Sequence, residues 1–240
     1  MRIIGIDTST KATGVALYSE NRLEGCTIVE QERTRAEELL PVLEEQLNAA
    51  GLEFDEINAI AVAVGPGSFT GLRIGVTIAK TLAQFSGKRL VGISTLRALS
   101  ESGEDFDMAK MLRCPVIDAR ADRIFAACYS GVGAPVEELI PEGLYTERDF
   151  RTRVEELRST RPEQGICWLG QGMERHRALL EGWSCPVKEA TGAATHSPVA
   201  AVCRLAQERL SAGASDSPLD LAPNYLRKSQ AEMDQGKRNA

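Results

Sequence analysis

Uniform apolar runs alternate with periodic, charge-flanked stretches along the first half of the chain. Ile3 to Ile6 is apolar and ends at Asp7; after a polar tip, Thr8-Ser9-Thr10-Lys11, an extended pattern resumes at Gly14-Val15-Ala16-Leu17-Tyr18. This predicts a hairpin. Between Thr34 and Ala50, Leu39, Leu40, Leu43 and Leu47 recur at helical spacing among Glu37, Glu38, Glu44 and Glu45, and Gly51 stops the pattern. An amphipathic helix follows from that spacing. Pro41 removes a hydrogen bond and crowds the turn before it, so the helix either kinks there or starts just ahead of it. Ala59 to Val64 is wholly apolar and reads as a buried strand. It runs straight into Gly65-Pro66-Gly67-Ser68-Phe69-Thr70-Gly71-Leu72-Arg73-Ile74-Gly75, a glycine turn that opens a helix from about Thr70 to Phe85.

That helix carries two apolar stripes, Leu72, Val76, Ala79 and Ala83 on one side and Ile74, Ile78, Leu82 and Phe85 roughly opposite. A helix apolar nearly all round needs cover on both faces. One face can lie on a sheet; the other needs the Leu39/Leu43/Leu47 helix, a partner subunit, or both. The glycine turn offers backbone N–H groups at a helix start, where an anion or a close-packed neighbour is welcome. Its spacing, G-x-G-x-x-x-G, fits neither the dinucleotide fingerprint nor the P-loop, and no catalytic group stands beside it. The turn therefore signals architecture more than chemistry.

Leu90-Val91-Gly92-Ile93 predicts another strand and Thr95 to Ser102 a helix, before the acidic loop Glu104-Asp105-Phe106-Asp107. A second hairpin then runs from Pro115-Val116-Ile117-Asp118 through Ala119-Arg120-Ala121-Asp122 to Ile124-Phe125-Ala126-Ala127-Cys128-Tyr129. Laid on the first without a gap, it pairs Ile6 with Ile117, Asp7 with Asp118, Ala16 with Ala127, Tyr18 with Tyr129 and Ser19 with Ser130. Two copies of one unit, each opening on a strand that ends in aspartate, imply two lobes facing across a cleft. The expected division is 1–105 for the first lobe, 106–228 for the second, and 229–240 for a polar, frayed tail. Within the second lobe the patterns predict a helix near Asp149 to Arg158, a strand at Gly165 to Leu169, a Gly170-Gln171-Gly172 turn opening a helix through Leu180, and Ser197-Pro198 capping a helix from Val199 to Leu210.

Composition narrows the function. The 240 residues carry a formal net charge of -6, the wrong balance for a dedicated nucleic-acid binder, which needs a basic stripe. Arg148, Arg151 and Arg153 are interleaved with acids and read as a solvated face. No apolar run is long enough to cross a membrane, and the N-terminus meets Asp7 before a signal-peptide core develops, so a cytosolic protein is expected. Six scattered cysteines form neither a C-x-x-C pair nor a disulfide framework and read as reduced. His176 and His196 lie twenty positions apart on different elements, so a shared metal is not expected; His176 reads as a surface residue and His196 as part of a capping loop. Ser68 lacks a G-x-S-x-G elbow and no cysteine has a histidine near it in sequence, which argues against a hydrolase.

Several separated segments agree in order with a known family. Ile6-Asp7-Thr8-Ser9-Thr10, Glu37-Glu38-Leu39-Leu40-Pro41, Gly65 to Gly75, Asp118-Ala119-Arg120, and Pro223-Asn224-Tyr225-Leu226-Arg227 with Ala231-Glu232 resemble the bacterial TsaB (YeaZ) family, over almost the whole chain. The resemblance implies an α/β, two-lobed fold of the actin-like, Hsp70-like and sugar-kinase-like (ASKHA) type. It also implies a non-catalytic role in forming N6-threonylcarbamoyladenosine in tRNAs that read codons beginning with adenosine. In that scheme TsaD transfers the threonylcarbamoyl group, the TsaB-like chain dimerises with TsaD and scaffolds it, and TsaE joins them. No cofactor is then required by this subunit, ATP and magnesium belong to the complex, tRNA is met only through the complex, and the chain forms a homodimer when alone. The helix near Arg35 has arginine and alanine where the family often shows His-Ser.

Combined with the two-sided helix, this places the expected partner interface on Arg35, Leu39, Leu40, Leu43, Leu47, Thr70, Leu72, Arg73, Val76, Ala79, Lys80 and Ala83. In related ATPases an Asp-x-Gly turn lets backbone approach phosphate; here Asp7-Thr8-Ser9 puts a side chain in the way. Asp7, Thr8, Ser9 and Asp118 are accordingly read as a vestigial nucleotide site, with both aspartates ending strands and capping turns. The competing class is a stand-alone ATPase or small-molecule kinase.

Overall fold

The computed structural model describes residues 1–30, 36–102, 110–130 and 136–226. Arg35, the acidic loop expected to divide the lobes, Arg227, Ala231, Glu232 and the tail 229–240 lie outside the described residues. The first half contains β1 (Arg2–Asp7), β2 (Ala12–Ser19), β3 (Arg22–Glu30), α1 (Ala36–Ala50), β4 (Ala59–Gly65), α2 (Phe69–Ser86), β5 (Arg89–Ser94) and the short α3 (Thr95–Leu99). Then come β6 (Met111–Asp118), β7 (Arg123–Ser130), β8 (Glu137–Thr146), α4 (Glu147–Thr160), β9 (Gly165–Leu169), β10 (Val187–Glu189), α5 (Ala193–His196) and α6 (Val199–Ser211).

The repeat is real at the level of topology. The sheets run β3-β2-β1-β4-β5 and β8-β7-β6-β9-β10, each an antiparallel three-stranded meander followed by two parallel strands. Asp7 and Asp118 end the central strand of each. Both expected hairpins form, and each continues into a third strand that the patterns did not predict. β3 is a largely exposed edge strand, entered through Glu20 and Asn21, both at positive φ as a two-residue hairpin turn requires. β8 contains Pro141, which an edge position tolerates.

β1, β2 and β4 of the first sheet are buried because each face has its own helical cover. Ile4, Ile6, Val15, Leu17, Ile60 and Val62 pack under Leu39, Leu43 and Leu47 of α1 and Val76, Ala79 and Ala83 of α2. On the other face, Ala16, Ala59, Ala61 and Ala63 meet Val199, Val202, Cys203 and Ala206 of α6. Small residues allow that approach: a Cβ on Gly5 would lie 2.3 Å from the Cys203 sulfur, and one on Gly14 2.3 Å from Ser197 Oγ. Although α6 is late in the sequence, it therefore packs on the first sheet. The segment after it does the same, with Asp216 bridging to Leu90 and the Asn224 N–H donating to the Val64 carbonyl at 2.6 Å. The expected assignment of 106–228 wholly to a second lobe is corrected by these contacts.

α1 starts at Ala36 and runs through Pro41, which sits on its exposed side. Two further expectations are revised. The helix expected from Gly170 to Leu180 is instead two 3-10 turns, Gln171–Glu174 and Arg177–Leu180. α3 is shorter than predicted, ending at Leu99 with Ser100 as its cap.

Candidate functional site

Glycines at the start of α2 are explained by the hairpin tip lying on them. Added Cβ atoms would fall 2.2 Å from the Ser9 carbonyl oxygen at Gly67, 1.9 Å from that of Thr8 at Gly71, and 2.3 Å from Thr8 Oγ1 at Gly75. Three hydrogen bonds fix this seat. Ser68 N–H donates to the Ser9 carbonyl at 2.7 Å, Thr8 Oγ1 donates to the Gly71 carbonyl at 2.7 Å, and Gly71 N–H donates back to Ser68 Oγ at 3.2 Å. The chain's own Thr8-Ser9 backbone is thus the close-packed neighbour that the glycines at this helix start admit.

Asp7 sits directly beneath this seat and is wholly buried. Its Oδ1 accepts from Ser9 N–H at 2.9 Å and Ser9 Oγ at 2.6 Å, and its Oδ2 accepts from Ser197 Oγ at 2.6 Å. Burial pushes the Asp7 carboxyl above its ordinary value, against the pull of the Ser197 and Ser9 hydrogen bonds. Ser197 was expected to cap α6; its hydroxyl instead goes to Asp7, and no side chain caps that helix. Thr10 Oγ1 donates to the His196 carbonyl at 2.6 Å, and His196 Nδ1 lies 2.7 Å from Glu30 Oε1.

Asp118, the counterpart in the second half, lives in a different setting. Its Oδ1 accepts from Arg120 N–H at 2.9 Å and its Oδ2 from Arg175 at 2.9 Å. Burial acts first to raise its carboxyl, but the Arg120 N–H and the Arg175 guanidinium outweigh that and hold it below the ordinary value. His176 is not a surface residue: it is 5% exposed, with Nδ1 2.8 Å from Glu147 Oε2 and Nε2 3.5 Å from Asp118 Oδ1. Those partners lie 29 and 58 residues away, which is why the local pattern around Arg175 and Arg177 concealed them. Asp7 and Asp118 thus answer to different partners, Ser9 and Ser197 for the first and Arg120, Arg175 and His176 for the second.

The expected partner face also changes composition. Leu39, Leu43, Leu47, Leu72, Val76, Ala79 and Ala83 are buried in the chain's own core, so these seven do not form an exposed surface. The sheet claims them because they are the stripes that face β1, β2 and β4. Leu40, Thr70 and Arg73 are exposed, whereas Lys80 is half-buried and donates to the Leu221 carbonyl at 2.7 Å. What α2 shows to solvent is Thr70, Arg73, Thr77, Thr81, Gln84, Phe85 and Ser86, edged by half-buried Ile74, Ile78 and Leu82. Phe85 is 88% exposed and Leu40, on α1, 48%. At the other end Phe69 stacks on Tyr225 at 4.5 Å, with the Arg73 guanidinium 4.2 Å above the Phe69 ring and its Nε donating to Tyr225 at 3.2 Å. The late Pro223-Asn224-Tyr225 segment therefore extends this face.

Comparison with known proteins places the chain. A family model described as TsaD, tRNA N6-adenosine threonylcarbamoyltransferase, matches residues 25–158. The tRNA threonylcarbamoyladenosine biosynthesis protein TsaB of Bacillus subtilis is 30% identical over 233 residues, 97% of this chain and 96% of that protein. The chain belongs to the TsaB family. TsaB of Escherichia coli is 35% identical over 133 residues, 54% of this chain and 55% of its own length. Among solved structures, YeaZ from Pseudomonas aeruginosa superposes with a TM-score of 0.72 at 23% identity, covering 94% of this chain and 99% of its own. A second Pseudomonas aeruginosa structure, described by its similarity to the peptidase YeaZ, gives 0.77 over the same shares. The duplicated two-sheet arrangement is thus the actin-like, ASKHA fold as TsaB-type chains build it.

Proposed function

We propose that this chain is the non-catalytic scaffold of a tRNA-modifying complex that forms N6-threonylcarbamoyladenosine. It pairs with TsaD through the exposed sides of α1 and α2. Support comes from the TsaB relatives, whose names carry that pathway, and from the match of the TsaD model over a segment that includes both helices. The observation that carries the non-catalytic reading is the closed hairpin tip: Thr8 and Ser9 lie against the start of α2, and Asp7 beneath them has no face to solvent. ATP and magnesium then act only in the assembled complex, where TsaE joins. tRNA is reached through the complex, since a net charge of -6 supplies little phosphate attraction. Without TsaD the same helical face serves a homodimer, in the cytosol.

A standard interface covers about 800 Å² per partner, an area that two adjacent helices and the segment at Tyr225 can supply. Replacing an outward residue with charge, as in Thr77→Glu or Phe85→Asp, should abolish co-purification with TsaD while leaving the fold intact. A folded variant that still binds TsaD overturns the placement of the interface. ATP turnover by the purified chain alone, expected at background, separates the scaffold from a stand-alone ATPase or kinase.

A further inference from the structure

Two carboxylates at the joint between the sheets collect donors from every element that meets there. Glu101, just past α3, is 6% exposed at its side chain and takes three guanidinium groups. Arg97 of α3 and Arg113 of β6 both reach Oε1, the latter at 2.8 Å, and Arg204 of α6 reaches Oε2 at 2.8 Å. Arg113 is fully buried and spends one nitrogen on Glu101 and the Ser100 carbonyl, the latter at 3.1 Å, while among the described residues its Nε and second terminal nitrogen have no partner. Its charge is balanced by Glu101 alone among the described residues. The second carboxylate, Glu142 of β8, accepts from Tyr129 of β7 at 2.7 Å and from Ser94 at the end of β5. Ser94 Oγ also accepts Arg97 N–H at 3.2 Å and so caps α3, and the Arg97 guanidinium lies 5.7 Å from the Tyr129 ring centre.

We infer that the joint between the two lobes is a clasp rather than a hinge, with Glu101 and Glu142 fastening β5, α3 and α6 of the first sheet's layer to β6, β7 and β8 of the second. The apolar side of the joint agrees. Leu96 and Leu99 of α3 pack into Ile117, Phe125, Ala127 and Tyr129 of the second sheet, so the same short helix is held by its apolar face and by its cap. Opening the lobes would strand the Arg113 charge in an apolar setting, a penalty that resists separation. A partner bound on α1 and α2 is thereby fixed in orientation relative to the second lobe, a consequence that rests on the proposed scaffold function; the clasp itself does not.

Hydrogen–deuterium exchange of the free, full-length chain tests it. In Glu101→Gln and in Glu142→Gln, amides of 94–102 and 111–118 should exchange about tenfold faster, the change produced by ~1.4 kcal/mol less local opening free energy. Amides of α2 should keep their wild-type rates. Glu142→Gln carries the test alone if Glu101→Gln fails to fold. Unchanged exchange at the joint, or equal acceleration in α2, overturns the clasp. Faster exchange at the joint in both variants, with no co-purification of TsaD with the wild-type chain, would instead count against the scaffold reading and leave the clasp standing.

Discussion

Asp7 and Asp118 hold equivalent strand ends, yet their surroundings drive them in opposite directions, and pH separates them. For Asp7, burial raises the folded-state value, so its contribution to stability is present in acid and is lost as pH rises through that raised value. Asp7→Asn should therefore gain on the wild type as pH goes from 4 to 8 in urea unfolding; a difference that stays constant would refute the assignment. For Asp118, burial is outweighed by Arg120 N–H and Arg175, so its contribution is present above the ordinary value of 3.8 and is lost as pH falls through the lowered one. Asp118→Asn should cost stability at pH 7 and progressively less in acid, by the same measurement. Gly71→Ala places a carbon on the Thr8 carbonyl oxygen and should destabilise by ~1–3 kcal/mol, read from the urea midpoint. Beyond the turn bonds two residues on, Asp7 to Ser9 and Asp118 to Arg120, these partnerships could not be read locally. Ser197 looked like a helix cap because its neighbour is Pro198; the acceptor it serves lies 190 residues earlier.

At the scale of elements, α1 and α2 were legible because their leucine and alanine spacing is periodic, with Gly51 stopping the first and a glycine turn opening the second; the structure adds Ser68 as the cap of α2 and Gly87, with a left-handed φ of 66°, as its end. Which stripe faced inward was not legible. Both stripes of α2 are apolar, and the deciding fact, the position of β1 and β4, is tertiary. The consequence for mutagenesis is a sorting of variants. Leu43→Arg and Val76→Glu put charge into the sheet-facing core and should destabilise by more than ~3 kcal/mol, with loss of soluble folded protein. Thr77→Glu and Thr81→Glu sit on the outward side and should stay within ~0.5 kcal/mol of the wild type, checked by thermal unfolding. The edge strands β3 and β8 escaped prediction for one physical reason: half-exposed strands need little apolar alternation, and polar residues with Pro141 broke what there was.

For the molecule as a whole, duplication was visible in the shared Ile-Asp and Ala-x-Tyr-Ser positions, and the sheets repeat the same strand order. The return of α6 to the first sheet was hidden, since nothing in its apolar pattern names the surface it covers. That return matters to function: it seals Asp7 through Ser197 and brings the segment carrying Tyr225 beside α2. On the proposed function, a chain so arranged holds another protein and leaves the chemistry to it. Reconstitution of tRNA threonylcarbamoylation with TsaD, TsaE, threonylcarbamoyl-AMP and substrate tRNA tests this most directly, by the yield of modified nucleoside. The expected yield is full with the wild-type chain and with Asp7→Asn, and falls to that of a reaction lacking the chain with Thr77→Glu. Full yield with the chain omitted, or loss of yield in Asp7→Asn with TsaD binding preserved, would contradict the account.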